Sequence, residues 1–221
     1  EKSKRADIRM RIINSDGSEA KMCGNGARCV ALWLASARKK TSAQGNRFKI
    51  ETGAGIIEAV VRSDRVKIKL TEPKGMRLDM PLSINKRRML VNFVDTGVPH
   101  AVVFTEGLDK IDVFSLGRLL RYHAKFAPAG TNADFIEVLG KDSISIRTYE
   151  RGVEDETLAC GTGTVASALV FARKSGASGR ISVLTRSKEL LTVYFKRRAD
   201  RFSDVWLEGG ARLVFKGELF C

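Results

Sequence analysis

Two short stretches of this chain combine a cysteine, a glycine-rich turn and an apolar run of helical character: Met22-Cys23-Gly24-Asn25-Gly26-Ala27-Arg28-Cys29 and Ala159-Cys160-Gly161-Thr162-Gly163-Thr164. In each, the thiol is expected just ahead of a helix N-terminus, where free backbone N–H groups and the positive end of the helix dipole favour a thiolate. The same N–H groups suit a carboxylate ligand. Two such units facing one small anionic molecule would set a sulfur on either side of it. That is the equipment for taking a proton from one face of a carbon and delivering one to the other. A single buried cysteine is ordinarily an inert small hydrophobe, so it is the repetition that singles out Cys23 and Cys160. Cys29, inside the first helical run, reads as packing, and Cys221 as incidental. The cysteine and histidine spacings match no common zinc pattern, so no metal is expected.

The elements that must position these thiols can be read from periodicity. Asp7–Asn14 alternates apolar and polar residues as a strand does, and Asp16-Gly17 marks a turn. From Asn25 to Lys39 the pattern is helical and almost without a polar face, the mark of a buried helix. Strands follow at Arg47–Thr52, Gly55–Val61 and Arg65–Leu70. Glu72-Pro73-Lys74-Gly75 interrupts the pattern and reads as a domain boundary. The plan then repeats: strands at Met89–Asp95 and Ala101–Phe104, an amphipathic helix over Val113–His123, and strands at Ala133–Val138 and Ser143–Tyr149. The second cysteine and a second all-apolar helix come next, then strands at Arg180–Thr185, Glu189–Lys196 and Asp204–Leu207. A last strand is expected at Ala211–Lys216. The fold class is therefore α+β, with two pseudo-symmetric halves, each a mostly antiparallel sheet wrapped around a central buried helix. The halves are expected at residues 1–73 and 74–209, with residues 210–221 as a terminal strand returning to the first.

Composition narrows the class further. The chain has 221 residues, 43% of them hydrophobic, enough for a proper core. No apolar run reaches the ~18 residues of a membrane span. Four cysteines fit a reducing compartment better than a disulfide scaffold, and cytoplasm is the expected location. The net charge of +14 raises the question of nucleic acid. However, Lys39-Lys40, Lys86-Arg87-Arg88 and Lys196-Arg197-Arg198 are short, scattered clusters without the interleaved aromatics of a base-stacking surface. Nucleic acid and membrane are not expected partners, and a homodimer stays open.

The two cysteine motifs, with Asn14-Ser15-Asp16-Gly17-Ser18-Glu19-Ala20 before the first and Glu150-Arg151-Gly152 before the second, resemble the two signatures of the diaminopimelate epimerase family. Gly97-Val98-Pro99-His100 and Gly130-Thr131-Asn132 resemble two further segments of that family, in the same order. The resemblance implies inversion of an amino-acid α-carbon without pyridoxal phosphate or metal, one thiolate acting as base and the opposite thiol as acid. Cys23 and Cys160 match those positions. Backbone N–H groups around Gly24, Asn25, Gly26, Gly161 and Thr162 match the donors that hold the substrate's α-carboxylate. By the same resemblance Arg151 faces the distal carboxylate, where its planar fork suits bidentate binding. Glu150, Asn14 and Asn132 help hold the distal ammonium or its neighbours, and His100 lines the site. His123 reads as structural.

Three departures from the family pattern are visible. Family members begin roughly fifty residues earlier, with an Asn-Asp-Phe motif that has no counterpart here, and recognising such a segment precedes fold reasoning. The first half is therefore expected to lack strands and to expose an apolar edge. Val98 stands where many members have Asn, and the span Gly152–Glu156 is one residue longer than the commoner form. Two other readings compete: a related cofactor-independent racemase of another amino acid such as histidine or proline, and a non-catalytic basic binding protein that kept the fold. Proline racemases generally carry His where Asn25 stands.

Overall fold

Apolar side chains recur at every second position in three consecutive segments of the first seventy residues, and in the computed structural model these segments form a sheet. The structure describes residues 1–13, 17, 19–38 and 45–217. The chain divides into two compact units, one of residues 1–69 with 208–221 and one of residues 70–207.

In the first unit, β1 (Ile8–Arg9), β2 (Ile12–Ile13) and β3 (Glu19–Ala20) precede helix α1 (Gly24–Arg38). An antiparallel meander of β4 (Asn46–Thr52), β5 (Gly55–Arg62) and β6 (Arg65–Lys69) follows, with β1 parallel to β4. Phe48, Ile50, Ala59, Val61, Val66 and Ile68 are buried on one face of the meander, and α1 packs on all three strands. The helix meets them with Ala27, Arg28, Ala31 and Leu34, a stripe at helical spacing.

In the second unit, β7 (Lys74–Ile84), β8 (Arg87–Asp95) and β9 (Pro99–Phe104) lead to α2 (Val113–Arg121). Then come β10 (Asn132–Gly140), β11 (Ser143–Glu150), β12 (Asp155–Thr157), α3 (Gly161–Ser175), β13 (Arg180–Leu184), β14 (Leu190–Arg198) and β15 (Arg201–Gly210). The sheet order is β15-β14-β13-β11-β10-β9-β8-β7, with β12 added beside β11. β10 runs antiparallel to β11 and parallel to β9. Two helices cover different faces of these strands. Ala101, Val103, Ala133, Phe135 and Tyr149 form one apolar cluster with Val113 and Leu120 of α2. Gly117 makes the approach possible: a Cβ there would collide with the Cβ and Cγ of Tyr149. Asp112 caps α2, its Oδ1 accepting the Ser115 N–H at 3.0 Å. α3 packs against β8, β9, β10, β11, β13 and β14, and Gly163 to Ala172 are buried without interruption. The central buried helix expected for the second half is present.

Several expectations are corrected. α1 is not buried all round, since Trp33 is 52% exposed and Cys29 is exposed; the helix has a single covered stripe, and its other face meets no strand among the described residues. Cys29 is therefore a surface thiol and not a packing residue. The expected break is shorter than Glu72–Gly75: residues 70–73 lie outside any strand, but Lys74 and Gly75 already belong to the long strand β7, which sits at the edge of the second unit's sheet order and there tolerates Pro81. Residues 211–217 form no strand: β15 extends to Gly210 instead, and Leu213, Val214 and Phe215 beyond it are exposed. Their apolar alternation finds no ladder partner among the described residues. β12 was not anticipated. Asn14, the Asp16 turn position, Lys39-Lys40 and Cys221 lie outside the described residues. Among the described residues, no helix is long and apolar enough to cross a membrane.

Candidate active site

Cys23 stands immediately before α1, and its side chain does what a capping side chain does. The Gly26 N–H donates to Sγ at 3.4 Å while the Ala27 N–H donates to the Cys23 carbonyl at 3.0 Å. The thiol is half-buried. Gly24 and Gly26 are also half-buried and Asn25 is exposed, so the backbone donors of this first turn lie near the surface of their unit. A side chain at Gly26 would meet the cysteine sulfur at ordinary contact distance, 3.6 Å.

Cys160 occupies the matching position before α3 in an extended conformation. Its carbonyl accepts both the N–H and the hydroxyl of Thr164, at 2.9 and 2.8 Å, and its Sγ lies 3.5 Å from the Thr162 hydroxyl. The sequence predicts a stabilised thiolate here, and in this unit burial works against one. Burial pushes the Cys160 thiol up to about 12, and the charges of Glu150 and Asp134 push in the same direction; the Thr162 hydroxyl and the Gly163 N–H oppose them without prevailing. Burial at this position therefore favours the thiol over the thiolate.

The surroundings of Cys160 come from alternate positions on three neighbouring strands. His100 on β9, Asn132 and Asp134 on β10, and Thr148 and Glu150 on β11 share the face turned toward α3, opposite the apolar face that α2 covers. His100 is fully buried, and its Nδ1 lies 2.8 Å from Asp134 Oδ2. The Thr148 hydroxyl donates to Asp134 Oδ1 at 2.8 Å. Glu150 is half-buried and its carboxyl is held above the usual carboxylate range chiefly by desolvation, with the Thr157 hydroxyl and His100 working the other way.

Asn132 fastens the next segment: its Nδ2 donates to the Pro99 carbonyl at 3.1 Å, and its Oδ1 accepts the Arg151 N–H at 2.8 Å. The second lone pair of Oδ1 is left for another donor. The Arg151 guanidinium is half-buried, with Nη1 on the Ala129 carbonyl at 3.1 Å. Gly161 and Thr162 form the half-buried first turn of α3, and the Thr162 carbonyl accepts from Thr96 Oγ1 at 3.2 Å.

The longer loop after Arg151 is locked by Glu154, which accepts from Arg121 Nε and the Gly152 N–H, each at 3.0 Å. Glu156 forms a two-pronged pair with Arg147, both contacts at 2.7 Å. Val98 is half-buried and presents no polar atom of its own. Within this unit the structure therefore gathers Cys160, His100, Asn132, Glu150, Arg151, Gly161 and Thr162. Cys23, Gly24, Asn25 and Gly26 form their own cluster in the first unit. Sequence reasoning missed Asp134 and Thr148. The available signal was an aspartate inside the apolar stretch Ala133 to Ile136, two residues after Asn132. Among the described residues, no group of three His, Cys, Asp or Glu side chains could hold a metal ion.

This arrangement of strands and helices recurs in other solved structures. A hydroxyproline epimerase from Agrobacterium vitis, solved with trans-4-hydroxy-L-proline bound, superposes with a TM-score of 0.71 at 19% identity, over 94% of this chain and 69% of that one. A phenazine biosynthesis protein of the PhzF family from Bacillus anthracis gives 0.67 at 18%, over 94% and 79%. These likenesses define the fold class.

Sequence comparison is more specific. The family profile described as diaminopimelate epimerase matches residues 1–75 and 92–204. The diaminopimelate epimerase of Aquifex aeolicus is 43% identical over 216 residues, 96% of this chain and 75% of that protein. That of Archaeoglobus fulgidus is 39% identical over 229 residues, 98% and 77% respectively. The chain belongs to the diaminopimelate epimerase family.

Proposed function

We propose that this protein interconverts LL- and meso-2,6-diaminopimelate by proton transfer at one α-carbon, with Cys23 and Cys160 as the two acid–base groups. The observation that carries the reading is the placement of the two thiols, Cys23 and Cys160 each standing immediately before a helix whose first turn is glycine-rich, in a chain of this family. Cys160 is the acid for one face of the carbon. Cys23, whose sulfur receives a backbone N–H, is the base for the other, and the roles exchange with the direction of reaction.

An α-proton is a poor acid, so the difficulty is the negative charge that develops on the carboxylate as the proton leaves. Backbone donors in the first turns of α1 and α3 suit that charge and need no reorganisation. At the distal end, the Arg151 fork suits the second carboxylate, and Glu150, Asn14 and the spare lone pair of Asn132 Oδ1 suit the second ammonium. The reaction places the protein in lysine biosynthesis.

The test is incubation with LL-diaminopimelate in heavy water. Meso product and α-deuterium should appear together in the wild type, and Cys23→Ala and Cys160→Ala should each lose turnover by about 10²–10⁴-fold, the range of general acid–base catalysis. Near-normal turnover in either variant overturns the two-thiol mechanism. Exchange into proline or histidine, with none into diaminopimelate, would assign the chain to a related racemase instead.

A further inference from the structure

Beside Cys160 lies a buried polar array with one atom left over. Asp134 is fully buried, and both of its carboxylate oxygens are engaged: Oδ2 lies 2.8 Å from His100 Nδ1, and Oδ1 accepts the Thr148 hydroxyl at 2.8 Å. His100 is equally buried, and its other nitrogen, Nε2, has no hydrogen-bond partner among the described residues. A buried polar nitrogen without a partner is costly and calls for an explanation. The array is pressed against the first turn of α3. A Cβ on Gly163 would stand 2.5 Å from Asp134 Oδ1 and 3.3 Å from His100 Cε1, so only glycine lets α3, with Cys160 at its start, close on this pair. Cε1 lies between the two ring nitrogens, so the edge of the imidazole that carries them both faces the first turn of the helix.

We infer that Asp134 is a positioning residue that fixes His100 with its proton on Nδ1 and so presents Nε2 as a bare lone pair beside the Cys160 end of α3. A neutral imidazole bonded through Nδ1–H to a carboxylate keeps an acceptor at its far nitrogen, and the tautomer is set by that bond. Thr148 holds the carboxylate itself in place. The catalytic half of the inference rests on the proposed epimerase reaction; the tautomer does not.

The chain has two histidines, and the structure gives them opposite tautomers. His123 Nδ1 accepts the Lys125 N–H at 3.1 Å, which leaves the proton of the neutral ring on Nε2. Long-range ¹H–¹⁵N spectra of histidine-labelled protein at pH 8 should therefore show one ring of each kind. Asp134→Asn should remove or mix the Nδ1–H form of His100 alone and lower kcat by about 10–100-fold, the usual effect of losing an orienting partner, with KM little changed.

A wild-type His100 carrying its proton on Nε2 overturns the inference. So does an Asp134→Asn protein in which tautomer and kcat do not change together. If Asp134→Asn fails to fold, Thr148→Val takes its place: the loosened carboxylate should allow a minor Nε2–H population, and its absence counts against the role. Wild-type protein that shows the expected tautomers but leaves diaminopimelate unchanged would sink the proposed reaction and not this assignment.

Discussion

Cys29 and Cys160 differ in environment, and the difference is measurable. Cys29 is exposed, while Cys160 is buried and its ionisation is pushed up to about 12 from 9.0. Alkylation at pH 8 should therefore label Cys29 first, and Cys160 should resist until the solution approaches its own pKa; mass mapping against pH checks the order. The sign for stability follows. The fold favours the protonated thiol, so its contribution is complete below about pH 9 and declines as pH rises toward 12. The urea midpoint of the wild type should fall more steeply over that window than that of Cys160→Ala. Cys160, Glu150 and Arg151 were legible in sequence because each sits in a contiguous motif. Asp134 and Thr148 were not, because they join His100 from 34 and 14 residues away along the chain, and only strand register brings them together.

At the level of elements, periodicity located both cysteine-bearing helices and most strands to within a few residues. It failed where burial is not set by local pattern. α1 has apolar residues on every side, yet only one stripe is covered. β7 was not expected at all: Pro73 and Gly75 at its start read as a break, and the strand itself is irregular, with two register shifts against β8 and a positive φ at Asp79. The contact between α2 and β11 was also invisible, since it depends on an absent side chain. Gly117→Ala tests it. The added methyl must displace Tyr149, so the substitution should destabilise the protein by about 1–3 kcal/mol, against the ~1 kcal/mol that alanine otherwise offers a helix interior over glycine. Chemical denaturation with an unchanged m-value would show this; a stabilised variant would mean that the helix can shift outward at no cost.

For the molecule as a whole, the net charge of +14 sets up a field but not a preference for this substrate. Diaminopimelate carries two ammonium and two carboxylate groups and is neutral overall, so long-range attraction gives it no advantage. The kcat/KM for epimerisation should change by less than about twofold across about 0.02–0.5 M salt, because screening acts on net charge at distance. A steep fall would point to an anionic substrate or partner. This weighing of charge was available from sequence. The division of the chain was less so, because the expected boundary lay at residue 73 and the observed one at 69, with the return to the first unit at 208.

That return fixes an order of events. The first unit is written in two instalments, and the second unit is spelled out completely between them. Arg65 must wait for Glu208, 143 residues later, to form the ion pair that joins β6 to the end of β15, and the Asp64 carbonyl waits for the Ala211 N–H. On the ribosome, the portion that begins first is therefore finished last. The second unit can be complete, with α3 enclosed, while the first still lacks its closing residues, and closure across so long a loop is the slow kind of contact. The thiol made first, Cys23, belongs to the unit that matures second.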